Sequence, residues 1–132
     1  MKRILVIDDD EVLRRLLLQV LARLGYEAVA EPNGVAGLRR AHEWKPAAVI
    51  TDIIMPEKEG VETILELKRT LPEIKIVAMS GGGRGTSLDY LQIARRCGAD
   101  RTLAKPFERD EIRTTLESLL GPPAPVERTS EA

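Results

Sequence analysis

The chain has 132 residues, 20 basic against 21 acidic for a formal net charge of −1, and 43% hydrophobic content. That length supports one hydrophobic core with no room for a second ordinary domain, and the balanced charge excludes a general nucleic-acid clamp, which carries a basic excess. A lone Cys97 excludes an internal disulfide and a cysteine-based zinc site, and "MKRILVIDDDE" meets acid before any signal-type apolar run develops, so a cytoplasmic chain with neither export nor membrane span is expected.

Short β-branched runs alternate with longer amphipathic ones up to about residue 120, which predicts five βα units: a doubly wound α/β domain with a parallel sheet covered on both faces. Strands are expected over residues 4–7, 27–31, 47–51, 74–79 and 101–104, and "ILVI", "AAVIT" and "IKIVAM" read as strands buried on both faces. The first helix carries Leu13, Leu16, Leu17, Val20, Leu21 and Leu24 on one side and stops at Gly25, with Leu18 on the opposite, exposed side beside Arg14 and Arg15. Asn33 caps a second helix with Val35, Leu38 and Ala41 inward, ending before Pro46, where Trp44 packs the helix end. A third helix starts near Gly60, with Val61, Ile64, Leu65 and Leu71 at helical spacing, and stops at Pro72. The fourth carries Tyr90, Ile93, Ala94 and Cys97 inward, and the last Ile112, Leu116, Leu119 and Leu120. Cys97 reads as a core thiol and His42 as a surface histidine. After these, "GPPAPVERTSEA" has almost nothing to bury and reads as a disordered tail or linker stub over residues 121–132.

In an open parallel sheet, ligands sit beyond the carboxyl ends of the strands. There the first strand delivers Asp8, Asp9 and Asp10, the third Asp52, the fourth Ser80 and the fifth Lys105. Clustered carboxylates repel one another unless a cation neutralises them, and an all-oxygen set points to magnesium or manganese. Such a cation can bridge a carboxylate and an incoming phosphoryl group, while an ammonium and a hydroxyl hold other phosphoryl oxygens. The set suits a site that accepts a phosphoryl group on a carboxylate.

The segments "ILVIDDDEVLRRLL", "AAVITDIIMPEKEG", "IVAMSG" and "CGADRTLAKPF", in that order, resemble the receiver domain of two-component response regulators over about residues 2–120. The resemblance implies a flavodoxin-like (βα)5 fold with strand order 2-1-3-4-5. It implies Asp52 as the phosphoacceptor, Asp8 and Asp9 as the acidic pair for Mg2+, Ile54 as a backbone-carbonyl ligand, and Ser80 and Lys105 as contacts of the transferred group. It also implies a cis bond between Lys105 and Pro106. The donor would be a histidine kinase or histidine phosphotransfer protein, and a downstream target would read the surface of the fourth helix, fifth strand and fifth helix. Direct contact with nucleic acid or membrane is not expected, and the expected state is a monomer or a phosphorylation-dependent dimer. It would catalyse its own phosphotransfer and dephosphorylation without being a conventional enzyme. Arg14, Arg15 and Leu18 form the expected kinase face.

Three departures stand out. Thr102 occupies the position where the family often has an aromatic switch residue, "GGGRGTS" after Ser80 is unusually glycine-rich, and Ile54 and Gly82 offer no polar group to orient an attacking water, which predicts slow loss of the phosphoryl group. Two other readings compete. "DDDEV" fits the Asp-x-Asp-x-Val pattern of haloacid-dehalogenase-like phosphatases, with Asp8 as nucleophile and Asp10 as acid/base, but leaves "ITDIIMP" unexplained. A receiver-like binding module independent of phosphate is favoured only by Thr102 and the glycine loop. Asp10 otherwise reads as a helix cap. With a receiver over residues 1–120, only the 12 residues 121–132 remain, so the protein as given is expected to act through its own surface unless the proline-rich tail marks where a longer protein was cut.

Overall fold

The computed structural model describes residues 2–53, 59–80, 87–105 and 107–122. The expectations for Ile54, for the 81–86 loop with Gly82, for the 105–106 peptide bond, for the Tyr90 side chain and for residues 123–132 therefore fall outside the described residues. The elements run β1 (Arg3–Ile7), α1 (Glu11–Arg23), β2 (Glu27–Glu31), α2 (Gly34–Trp44), β3 (Ala48–Asp52), α3 (Glu59–Thr70), β4 (Lys75–Ser80), α4 (Ser87–Cys97), β5 (Arg101–Ala104) and α5 (Arg109–Leu120). All strand pairs are parallel, in the order β2-β1-β3-β4-β5, as the resemblance implies.

The apolar strand runs are continuous because successive side chains feed opposite cores. Ile4, Val6, Ile50, Val77 and Met79 pack with Leu17 and Leu21 of α1 and Ile112 and Leu116 of α5. Leu5, Ile7, Val49, Ile76 and Ala78 pack with Ala41 of α2, Ile64 and Leu67 of α3 and Ala94 of α4. Cys97 lies partly buried against this second core, as does Trp44. The end of α1 is fixed locally: Gly25 adopts φ 96°, and the Tyr26 N–H donates to the Leu21 carbonyl at 3.0 Å.

The helical stripes are narrower than the sequence spacing suggests. Leu16, Val35, Leu65 and Ile93, expected to face inward, are 52%, 64%, 50% and 44% exposed. Conversely, Leu18 is half-buried rather than exposed. On α1 the residues Val12, Leu16, Gln19 and Arg23 form one exposed ridge, while Leu17 and Leu21 carry the burial. On α2 the buried face is made of Gly34, Gly37 and Ala41, so the helix lies too close to the sheet for a bulky stripe.

Tyr26 is the largest fully buried side chain, and its hydroxyl has no hydrogen-bond partner among the described residues. Burial first, and the charge of Glu117 second, push its ionisation above the ordinary tyrosine value. A buried hydroxyl without a partner costs about 1 kcal/mol or more. Tyr26→Phe should therefore raise stability by about 1 kcal/mol in denaturant unfolding; a lower midpoint would show that the hydroxyl is satisfied in solution.

Candidate functional site

The sheet register assembles the site. Asp52 pairs with Met79, Ser80 with Ala104, and Ile7 with both Glu31 and Thr51. β3 and β4 each run one residue further than the sequence reading, so Asp52 and Ser80 are the last residues of their strands and not the first of their loops. Backbone hydrogen bonds continue the ladder past the strand ends: Asp8 N–H to Glu31 O at 3.1 Å, Ile53 N–H to Met79 O at 3.0 Å, and Lys105 N–H to Ser80 O at 2.8 Å. Each functional side chain thus leaves a backbone held on at least one side.

The side chains converge accordingly. Asp8 is fully buried and Asp52 is 6% exposed, while Asp9 lies at the surface. Asp8, Asp9 and Asp52 each bring a carboxylate oxygen within 4.8 Å of the others. Lys105 Nζ donates to Asp52 Oδ2 at 3.0 Å and to Asp8 Oδ2 at 3.2 Å. Burial alone would push the Lys105 ammonium down, but its hydrogen bond to Asp52 and the charges of Asp52 and Asp8 outweigh that, and the group is held above the ordinary lysine value. Ser80 is fully buried, and its Oγ has no hydrogen-bond partner among the described residues.

Among the described residues, one ammonium pairs with Asp8 and Asp52 in a cluster of three carboxylates, which leaves that set net negative. Unit charges about 4 Å apart interact by about 4 kcal/mol at an effective dielectric of about 20, so this cluster favours an added cation. The donor set is all oxygen, with no imidazole or thiolate, and fits a hard divalent ion. The buried Ser80 hydroxyl, with no partner among the described residues, fits an incoming acceptor oxygen.

Asp10 has a separate job. Its Oδ1 accepts from the Val12 and Leu13 N–H groups at 3.0 and 3.3 Å, capping α1, which leaves it unsuited to the acid/base role of the phosphatase reading. The expected kinase face is also redrawn. Arg14 turns inward, with Nη1 donating to the Asp8 carbonyl at 2.8 Å, and Leu18 is half-buried, so in the N-terminal half of α1 the exposed apolar residues are Val12 and Leu16, with Arg15 beside them. Sequence spacing missed Arg14, since a backbone carbonyl target leaves no signature. It also missed the closeness of Gly60 to Asp52: a Cβ at Gly60 would collide with the Asp52 carbonyl oxygen and with Ile53 Cα. Thr102 is half-buried on β5.

Comparison with known proteins is consistent across sequence and fold. The response regulator receiver domain family matches residues 4–117. The chemotaxis protein CheY of Thermotoga maritima is 31% identical over 119 residues, which cover 89% of this chain and 97% of that protein. The DNA-binding transcriptional regulator NtrC of Azospirillum brasilense is 36% identical over 124 residues, covering 92% of this chain, but the chain spans only 25% of that regulator's length. Among solved structures, a response regulator receiver domain protein from Clostridium thermocellum superposes with a TM-score of 0.83 at 27% identity, covering 91% of this chain and 94% of that one. No helix among the described residues is long and apolar enough to cross a membrane.

Proposed function

The chain belongs to the response regulator receiver domain family and is a phosphoryl-accepting receiver of two-component signalling; on that premise we propose that Asp52 is the phosphoacceptor, with a phosphohistidine of a kinase or histidine phosphotransfer protein as donor. An Asp52 oxygen attacks phosphorus in line as the donor P–N bond breaks. The imidazole leaves with a proton from solvent, and the products are an acyl phosphate and free histidine. Lys105, already within 3.0 Å of Asp52 Oδ2, holds one phosphoryl oxygen as a point charge. The Ser80 hydroxyl donates to another. Asp8, Asp9 and Asp52 would hold Mg2+ or Mn2+, with the carbonyl of Ile54, which lies outside the described residues, as the family's further ligand; when bound, the ion would supply the positive charge that lets one anion approach another. In this reading the receiver occupies residues 1–120, and residues 121–132 form a tail or linker.

The observation that carries the proposal is the fully buried Ser80 hydroxyl with no partner among the described residues, one position beyond the sheet partner of Asp52. A phosphate-independent binding module has no use for that hydroxyl, whose burial costs about 1–3 kcal/mol when unsatisfied. Filling it gives the phosphorylated state contacts that the free state lacks, and differential contact is what shifts a two-state surface. The output surface is α4, β5 and α5, with exposed Ile93 on α4.

Labelling with a small phosphodonor and Mg2+ tests the assignment: acyl phosphate should form on the wild type and disappear with Asp52→Asn. Label kept by Asp52→Asn and lost with Asp8→Asn would transfer the nucleophile to Asp8. The donor-docking face is the Val12–Leu16 ridge of α1, flanked by Arg15, where apolar residues lie 77% and 52% exposed. Leu16→Asp should therefore slow transfer from a cognate kinase at least about tenfold, the scale of a lost interface anchor, while sparing the small donor. Equal loss with both donors would show a folding defect and not a docking face.

A further inference from the structure

We propose that Arg14 is a positioning residue for the cation site, setting the angle between the Asp8 and Asp9 carboxylates through the peptide plane that joins them. The inference rests on the receiver reading above. Arg14 Nη1 donates to the backbone carbonyl of Asp8 at 2.8 Å. That carbonyl lies in the rigid plane linking Asp8 to Asp9. Fixing it therefore restrains the last backbone torsion of one candidate ligand and the first of the other.

The contact closes a circuit. The Asp10 N–H donates to Asp8 Oδ1 at 2.8 Å, aiming the Asp8 carboxylate. Asp10 Oδ1 in turn caps α1 through the Val12 and Leu13 N–H groups. The Asp10 carbonyl receives the Arg14 N–H at 3.0 Å, and the Arg14 side chain returns to Asp8. At the other end, the Asp8 N–H is tied to Glu31 O of β2. The acidic loop is thus pinned to the sheet on one side and to α1 on the other, and Arg14 is the only side chain among the described residues hydrogen-bonded to its Asp8 carbonyl.

The position is electrostatically awkward for an arginine. It stands in the first turn and a little beyond at the positive end of α1, where cations are disfavoured. It also stands beside the carboxylates that would bind Mg2+, where its charge opposes the metal. Arg15, the next residue, takes the ordinary course and pairs with Glu11 in solvent. A role as simple counter-charge and a role in positioning make opposite predictions for removal of Arg14. Loss of a counter-charge tightens Mg2+ binding; loss of a positioning bond weakens it.

The test is calorimetric Mg2+ titration of the unphosphorylated full chain, wild type against Arg14→Met and Arg14→Lys, with metal-free thermal unfolding and amide exchange at Asp10 measured alongside. Arg14→Met should bind Mg2+ about tenfold more weakly, the scale of a lost hydrogen bond to a metal ligand's support, with faster exchange of the Asp10 N–H. Arg14→Lys, which keeps the charge and one donor but not the planar fork, should fall between the two. Mg2+ bound by Arg14→Met as tightly as by the wild type, or more tightly, overturns the proposal. If Arg14→Met fails to fold without metal, Arg14→Lys decides: affinity below the wild type supports the positioning role, and wild-type affinity overturns it. A wild type that binds no Mg2+ overturns the underlying cation site, a failure distinguishable from that of Arg14 alone.

Discussion

Lys105→Met should cost about 3 kcal/mol of stability in the metal-free chain, the scale observed when one partner of a buried ion pair is removed. Asp8 is fully buried and Asp52 is 6% exposed, and both carboxylates accept from this one ammonium. Methionine keeps the length of the stem and much of its packing, so the loss isolates the charge and its hydrogen bonds. Without the ammonium, Asp8 and Asp52 lose the cation that bridges them, and their repulsion with nearby Asp9 grows. Adding Mg2+ should recover more stability in the variant than in the wild type, because the metal then neutralises a more negative cluster. Phosphoryl uptake should nevertheless stay impaired, since the contact proposed for Lys105 with the transferred group is gone. Denaturant unfolding in chelator and in Mg2+ provides the check: equal stability of variant and wild type in chelator would mean that Lys105 does not balance these carboxylates.

The same geometry sets the sign of the pH dependence. Lys105 keeps its proton to a higher pH in the folded chain than in the unfolded one, where it titrates near about 10.4. Its contribution is therefore complete below the unfolded value and is lost as pH rises through the folded one. Tyr26 acts in the same direction, since the folded chain keeps the phenol neutral after the unfolded chain has begun to ionise. Both groups confine their effect to the alkaline limb, which should be shallower in Lys105→Met and in Tyr26→Phe than in the wild type.

Strand identities, the meeting of Asp8, Asp52 and Lys105, and the place of Ser80 at the same end of the sheet were legible because a buried parallel sheet imposes continuous apolar runs and its strand ends gather on one side. The tilt of each helix was not legible. Helical spacing says which residues share a face but not how that face is rotated on the sheet, and so Leu16, Val35, Leu65 and Ile93 emerge exposed. On α2, the rotation follows from Gly34, Gly37 and Ala41, whose small size permits an approach that Val35 would block. Contacts to backbone were hidden for a different reason. The Arg14 bond to the Asp8 carbonyl and the seat of Gly60 on Asp52 depend on main-chain positions that every residue type shares.

Gly60→Ala should lower stability by about 2 kcal/mol, within the range for overpacking a close contact, and should slow phosphoryl uptake as well. Alanine is intrinsically better in a helix by about 1 kcal/mol, so propensity alone predicts the opposite sign for stability. Contact decides against it. The added Cβ would collide with the Asp52 carbonyl oxygen and Ile53 Cα and would lie 2.8 Å from the Ile53 carbonyl carbon. These are backbone atoms, and the strand end that carries them is tied to β4 by the Ile53 N–H to Met79 O bond at 3.0 Å. The strand therefore has little freedom to yield, and α3 must move outward, loosening the buried Thr63, Ile64 and Leu67 that follow Gly60 on its inner face. Gly37→Ala supplies the control, because its Cβ would meet the Ile7 side chain, with Cγ1 at 2.7 Å, and not the backbone beside Asp52. It should destabilise through the core while leaving the rate of labelling by a small phosphodonor close to wild type. If both variants slowed labelling in proportion to their loss of stability, the effect would be general loosening. A loss of labelling confined to Gly60→Ala would tie the aim of Asp52 to the close seat of α3 on the end of β3.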